Sequence, residues 1–150
     1  VSRHGSTAAA MYDHLRAIQL NVADTPDLVP PLAIVAAFAE GTSKFIGAQR
    51  LRLKESDRLQ SITAAISALG GRAYIEGDDT LVIEGHGSLD GGSVDGESDH
   101  RIVMMASVAA SFANDPTTIT HAEAIAKSYP TFFEDFRALG GNAELTDTTE

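Results

Sequence analysis

Apolar residues recur along this 150-residue chain at alternate positions in some stretches and at every third or fourth position in others. Each change of period marks a new element. Over residues 15–22, Leu15, Ala17, Ile18, Leu20 and Val22 are apolar, which predicts a strand. Asp24-Thr-Pro-Asp27 is turn chemistry and places Asp27 to cap a helix behind it. Pro30 and Pro31 are tolerable only in that helix's first turn. Residues 32–39 are apolar all round, so the helix is expected to be buried and to stop at Gly41. Residues 42–53 read as the next strand. A helix follows over about 55–69, with Leu59, Ile62, Ile66 and Leu69 on one face and Gly70-Gly71 at its end. Residues 72–76 and 80–84 flank Gly77-Asp78-Asp79 and predict a β-hairpin. Residues 1–10 show no period and read as a linker.

From Gly85 the pattern begins again. Residues 88–95 predict a short strand, Asp99 caps an apolar helix over 102–113, and 117–121 predict a strand. Lys127-Ser-Tyr-Pro130 opens a last helix, with Phe132, Phe133, Phe136 and Leu139 inward and Gly140-Gly141 closing it. The halves align: Asp27 with Asp99, Lys54 with Lys127, and Leu-Gly-Gly at 69–71 with Leu-Gly-Gly at 139–141, at offsets of 72, 73 and 70 residues. That period is too long for a solenoid and predicts a duplicated α/β module in the order β-α-β-α-β-β. The units run over about 15–85 and 86–150, the second without its closing hairpin. Together they form a single partial domain over 1–150.

No apolar run reaches the ~18–20 residues needed to span a bilayer, so no membrane contact is expected. The chain lacks cysteine, which rules out disulfides and thiolate metal sites and suits a cytoplasmic setting. The histidines lack metal-ligand spacing, and no metal or cofactor is expected. The net charge of −10 argues against nucleic acid as a partner. Against that background, Arg50, Arg52, Lys54 and Arg58 crowd into nine residues, which suits a small anion better than a polyanion.

Lys54 and Arg58 lie four apart, so both are expected on one side of a helix's first turn. A cation there costs ~0.3–1 kcal/mol against the helix dipole, and an anion at the helix start would relieve it. Arg101 stands in a first turn as well, and Lys127 opens a helix. If the modules pack side by side, these helix starts converge on one hole together with Asp27, Glu55 and Asp99. Each residue also has a plainer reading. Asp27 and Asp99 read most simply as helix caps. Lys54, Asp57 and Arg58 read equally as a solvated face with an internal ion pair.

Four stretches together resemble the C-terminal part of EPSP synthase, an enolpyruvyl transferase. They are Asp24-Thr-Pro-Asp27-Leu-Val-Pro30, Leu51-Arg-Leu-Lys-Glu-Ser-Asp-Arg58-Leu, Asp99-His-Arg101-Ile-Val-Met and Lys127-Ser-Tyr-Pro130-Thr-Phe-Phe. The resemblance implies repeated βαβαββ units forming part of an inside-out α/β barrel, within a two-domain enzyme whose N-terminal domain is a missing partner. It implies transfer of the enolpyruvyl group of phosphoenolpyruvate to the 5-hydroxyl of shikimate 3-phosphate, with the isolated chain inactive. By position, Asp27 looks like the base at the 5-hydroxyl, and Glu55 like the acid that shuttles a proton at the methylene carbon. Lys54 looks like a contact to shikimate 3-phosphate, and Arg58, Arg101 and Lys127 like the clamp on phosphoenolpyruvate. Arg50 stands where some family members place an uncharged polar residue. The alternatives are a stand-alone binding module for a small anionic metabolite, or a UDP-N-acetylglucosamine enolpyruvyl transferase relative. A missing unit would also leave an apolar face uncovered.

Overall fold

In the computed structural model, residues 2–4, 7–9 and 14–146 are described. Within the stretch expected to be a linker, β1 (Ser2–His4) pairs antiparallel with β2 (Thr7–Ala9); the remaining residues of 1–10 lie outside the described set. A four-stranded sheet carries the first unit. Its strands are β3 (Gln19–Asn21), β4 (Glu40–Ile46), β5 (Arg72–Glu76) and β6 (Thr80–His86), in the order β3-β4-β6-β5. β3 and β4 are parallel, joined through α1 (Val29–Phe38), and β5 and β6 form the expected antiparallel hairpin. α2 (Arg58–Ala68) connects β4 to β5. β7 (Gly92–Asp95) and β8 (Thr117–Thr120) then form a parallel pair joined through α3 (His100–Ala110), repeating the β3-α1-β4 connection. α4 (Phe132–Ala138) closes the described chain. One continuous core, including Phe45, Leu51, Leu59, Ile62, Ile66, Leu81, Ile83 and Ile102, runs between the helices and the sheet.

Several boundaries differ from expectation, each for a local reason. The strand expected over 15–22 is only three residues long, because Ser43 Oγ takes the N–H of Ile18 at 3.1 Å and interrupts the ladder with β4. The strand expected over 42–53 ends at Ile46. Gly47 turns with φ 75°, and a 3-10 turn, Gln49–Leu53, carries the chain onward. α1 ends before Gly41, which lies inside β4. It is also not buried all round, since Val35 is 48% exposed. α4 starts five residues after Lys127, and Leu139, expected to point inward, is 90% exposed.

The exposed side of α1 faces that of α3. Pro30, Pro31, Ile34, Val35, Met104 and Val108 line an apolar groove of about 350 Å³, with Arg101 at its wall.

β6 passes close beneath the end of α1. A Cβ at Gly85 would stand 2.1 Å from the Ala39 carbonyl oxygen and 2.3 Å from that of Ala36. Both obstacles are backbone, so neither can yield by changing rotamer. Gly85→Ala is therefore predicted to destabilise the fold by about 1–3 kcal/mol, the range for overpacking. Chemical denaturation checks this, and an unchanged midpoint would show that β6 can move away from α1.

Candidate active site

The end of α1 nearest the site needs no side-chain cap. Two of its first backbone donors are removed by Pro30 and Pro31, and no side chain caps it. Asp27, expected to be that cap, lies instead in a 3-10 turn, Pro26–Leu28, and is free to bind elsewhere. Its Oδ1 accepts from Lys54 Nζ at 3.1 Å and from Arg58 Nη1 at 3.0 Å. Arg101 Nη2 stands 3.8 Å from Oδ2, and Arg101 Nη1 donates to the Asp27 carbonyl at 3.3 Å.

α2 begins at Arg58, three residues later than expected, with Asp57 as its cap accepting the Gln60 N–H at 3.3 Å. Lys54 and Glu55 therefore precede the helix, and Lys54 has extended backbone. The two cations do not share a helical turn, yet they meet on one oxygen of Asp27.

Arg58 is the centre of the site. Its side chain is 1% exposed, which excludes the solvated-face reading. Nε donates to Asp99 Oδ2 at 2.8 Å and Nη2 to Asp99 Oδ1 at 3.1 Å, a forked pair between two buried groups. Nη1 reaches Asp27, and Nη2 also reaches Glu55 Oε2. The anion expected at this helix start is thus supplied by the protein's own carboxylates. Asp99 is a helix cap as expected, accepting the Arg101 N–H at 2.9 Å, but its larger role is to anchor Arg58. Ser56 Oγ also donates to Asp99 Oδ2 at 3.0 Å, and Ser61 Oγ to Ser56 Oγ at 3.0 Å. Neither serine was identified from the sequence, where hydroxyls near helix starts are too common to single out.

Burial is the largest influence on Asp99 and would raise its pKa. The hydrogen bonds from Arg58, the Arg101 N–H and Ser56, with the Arg58 charge, together outweigh it and hold the carboxyl below its usual range. Asp27 is also lowered, first by the hydrogen bond from Lys54 and then by the charges of Arg101, Lys54 and Arg58, against some opposing desolvation. Both are carboxylates at neutral pH.

Lys127 is not at a helix start. It ends a 3-10 turn, Ala122–Lys127, and its Nζ donates to the Ser98 carbonyl at 2.7 Å, one residue before Asp99. The structure thus gathers Asp27, Lys54, Glu55, Arg58 and Arg101 into one contact network and sets Lys127 beside it. Arg50 donates to the Ala23 carbonyl at 3.3 Å and Arg52 pairs with Asp57 at 2.9 Å, so both brace the turn that presents Lys54. Among the described residues, no group of three or more His, Asp or Glu side chains is arranged to hold a metal ion.

Residues 2–136 match the sequence model of the family described as EPSP synthase (3-phosphoshikimate 1-carboxyvinyltransferase). The 3-phosphoshikimate 1-carboxyvinyltransferase of Clostridium kluyveri is 45% identical over 127 residues, 85% of this chain and 30% of its own length. That of Methanocella arvoryzae is 45% identical over 131 residues, 87% of this chain and 31% of its own. Among solved structures, EPSP synthase from Acinetobacter baumannii matches with a TM-score of 0.73 and 32% identity, covering 89% of this chain and 32% of that one. An enolpyruvyl transferase from Streptomyces tendae matches with a TM-score of 0.64 at 23% identity, a likeness of fold alone. The chain therefore spans about 30% of the length of the curated relatives it matches.

Removing one partner of a buried ion pair leaves the other charge stranded, at a cost of about 3–5 kcal/mol. Arg58→Met is predicted to destabilise the chain by that order, and Arg58→Lys to recover only part of it, because an ammonium cannot form the fork. Asp99 has a folded pKa below its unfolded one, so its contribution is present above about pH 4 and is lost as pH falls through the folded value. Asp99→Asn should therefore flatten the fall in stability below pH 4. Urea unfolding at stepped pH measures both effects, and parallel pH curves for the two proteins would contradict the assignment.

Proposed function

The chain belongs to the EPSP synthase (3-phosphoshikimate 1-carboxyvinyltransferase) family, and from that premise we propose that it supplies part of an enolpyruvyl-transfer site. It would form the C-terminal portion of a two-domain enzyme, as one partial domain with units over about 15–85 and 86–150. Phosphoenolpyruvate and shikimate 3-phosphate are its substrates, the N-terminal domain completes the site, and the chain alone is inactive. Its cysteine-free composition supports a cytoplasmic setting.

The observation that carries this reading is the grouping of two half-exposed carboxylates, Asp27 and Glu55, on one buried guanidinium. A trap for anions would leave its cations unpaired. Here Lys54, Arg58 and Arg101 already face Asp27, Glu55 and Asp99, so an arriving anion must compete with carboxylates. That arrangement is more useful for moving protons than for binding alone, and it favours the enzyme over the binding module.

In the proposed reaction the 5-hydroxyl oxygen of shikimate 3-phosphate bonds to C2 of phosphoenolpyruvate. The hydroxyl proton passes to Asp27, and Glu55 in its acid form protonates C3, giving a tetrahedral intermediate. The C2–O bond to phosphate then breaks while the Glu55 carboxylate takes a proton back from C3. This restores the double bond and releases phosphate, whose departing oxygen takes the proton that Asp27 had received, so both carboxyl groups return to their starting states. Lys54 and Arg101 meet the substrates' negative charge, with Arg58 and Lys127 completing the clamp. Asp27 is a weak base while Lys54 holds it. A bound phosphate or carboxylate draws that lysine away and returns basicity to Asp27 as the substrate arrives.

The test is Glu55→Gln in the completed enzyme. Turnover should fall by about 10²–10⁴, the usual contribution of a positioned acid or base, with phosphoenolpyruvate affinity held within a few-fold. Turnover close to the parent's would remove Glu55 from the proton path.

A further inference from the structure

Asp95 and His121 lie outside the Arg58 network, at the matching ends of β7 and β8, where Asp95 stands in register with Thr120. His121 Nδ1 is 2.7 Å from Asp95 Oδ1, and the same oxygen accepts the Glu97 N–H at 2.8 Å. Glu97 and Ser98 follow with φ of 52° and 50°, and His121 itself has φ of 53°. Side-chain-bearing residues adopt that left-handed region uncommonly, so three of them together need something to hold them. Gly96, just before, packs so closely that a Cβ would stand 2.5 Å from the Thr120 carbonyl oxygen.

The contacts close a ring. Asp95 shapes the turn at 96–98, the Ser98 carbonyl accepts Lys127 Nζ at 2.7 Å, and Lys127 ends the 3-10 turn that His121 opens. The Ala124 N–H donates to the His121 carbonyl at 3.1 Å and completes the circuit. The ring thus connects the Asp95–His121 pair both to the segment leading into Asp99 and to Lys127.

We propose that Asp95 and His121 form a protonation-dependent clasp that positions Lys127 through the turn at 96–98. Asp95 is held below the usual carboxylate range, so it stays ionised while the ring titrates; imidazolium adds the attraction of opposite charges to their hydrogen bond, and neutral imidazole keeps the bond alone. With neutral imidazole the ring loosens, and Ser98 and Lys127 move with it. The groups facing His121 are Asp95 on β7, Glu97 on the turn and Glu123 on the 3-10 turn, all carboxylates, with the Thr120 hydroxyl 3.5 Å from Nδ1. Each favours the charged ring, Asp95 foremost through its hydrogen bond, and little burial opposes them. The pair's stabilisation is thus present below pH ~6.5, the ordinary histidine value, and is lost as pH rises through the raised folded value. That Lys127 then serves an anion rests on the functional reading above; the clasp itself does not.

The test is a ligand-free NMR titration of the 150-residue chain, following the His121 ring, the Glu97 and Ser98 amides and the Lys127 ammonium. All should share one midpoint, above that of an ordinary histidine. Asp95→Asn, a change at an exposed side chain, should lower the ring's midpoint and release the amides from it. His121→Gln, which can donate to Asp95 but cannot titrate, should abolish the pH response while keeping the turn's shifts near the parent's. Amides or a Lys127 signal that ignore the ring's midpoint would overturn the clasp. A second titration, with phosphoenolpyruvate added to the chain assembled with the N-terminal portion of a family member, should show affinity weakening several-fold as pH rises through the same midpoint, and in His121→Gln no such change. A flat affinity across the midpoint would overturn the positioning of Lys127. Coupled ligand-free signals without phosphoenolpyruvate binding at any pH would support the clasp and count against the functional reading.

Discussion

The ion pair between Arg58 and Asp99 is the constraint from which the rest of the site follows. Both side chains are almost wholly out of water, at 1% and 0% exposure, and neither charge is tolerable there alone. The forked geometry fixes the first residue of α2 against the cap of α3, so the two helix starts cannot separate without stranding a charge. The guanidinium edge left over then points to Asp27 and Glu55. One buried interaction thereby joins the two halves of the repeat and sets two half-exposed carboxylates side by side.

The order of elements was legible because it depends on period and punctuation. The buried faces of α2 and α3, the hairpin of β5 and β6 and the glycine stops after α2 and α4 follow from spacing that tertiary contacts reinforce. Boundaries were less legible. Nothing in residues 42–53 announces the turn at Gly47, and the short β3 depends on a Ser43 side-chain bond formed across the sheet. Leu139 shows the other limit of periodicity: it keeps the helical spacing of its neighbours and still faces water.

Of the candidate site residues, Asp27, Lys54, Glu55, Arg58 and Arg101 do come together, but with partners that local sequence does not announce. Asp27 looked like a cap because acidic residues before helices usually are, but two prolines leave α1 with little to cap. Asp99 looked like a cap and is one, while its pairing with Arg58 spans 41 residues and has no local signature. Lys54 and Arg58 were expected side by side on a helix and meet instead through a carboxylate from another segment. The four motifs pointed to these residues; only packing could show that their charges are already balanced.

The central claim is that this balanced cluster is part of an enolpyruvyl-transfer site. Phosphate release from phosphoenolpyruvate and shikimate 3-phosphate tests it most directly, measured with the chain alone and after adding the N-terminal portion of a family member. The account predicts release only in the mixture. A mixture that is folded and assembled yet releases no phosphate would contradict it.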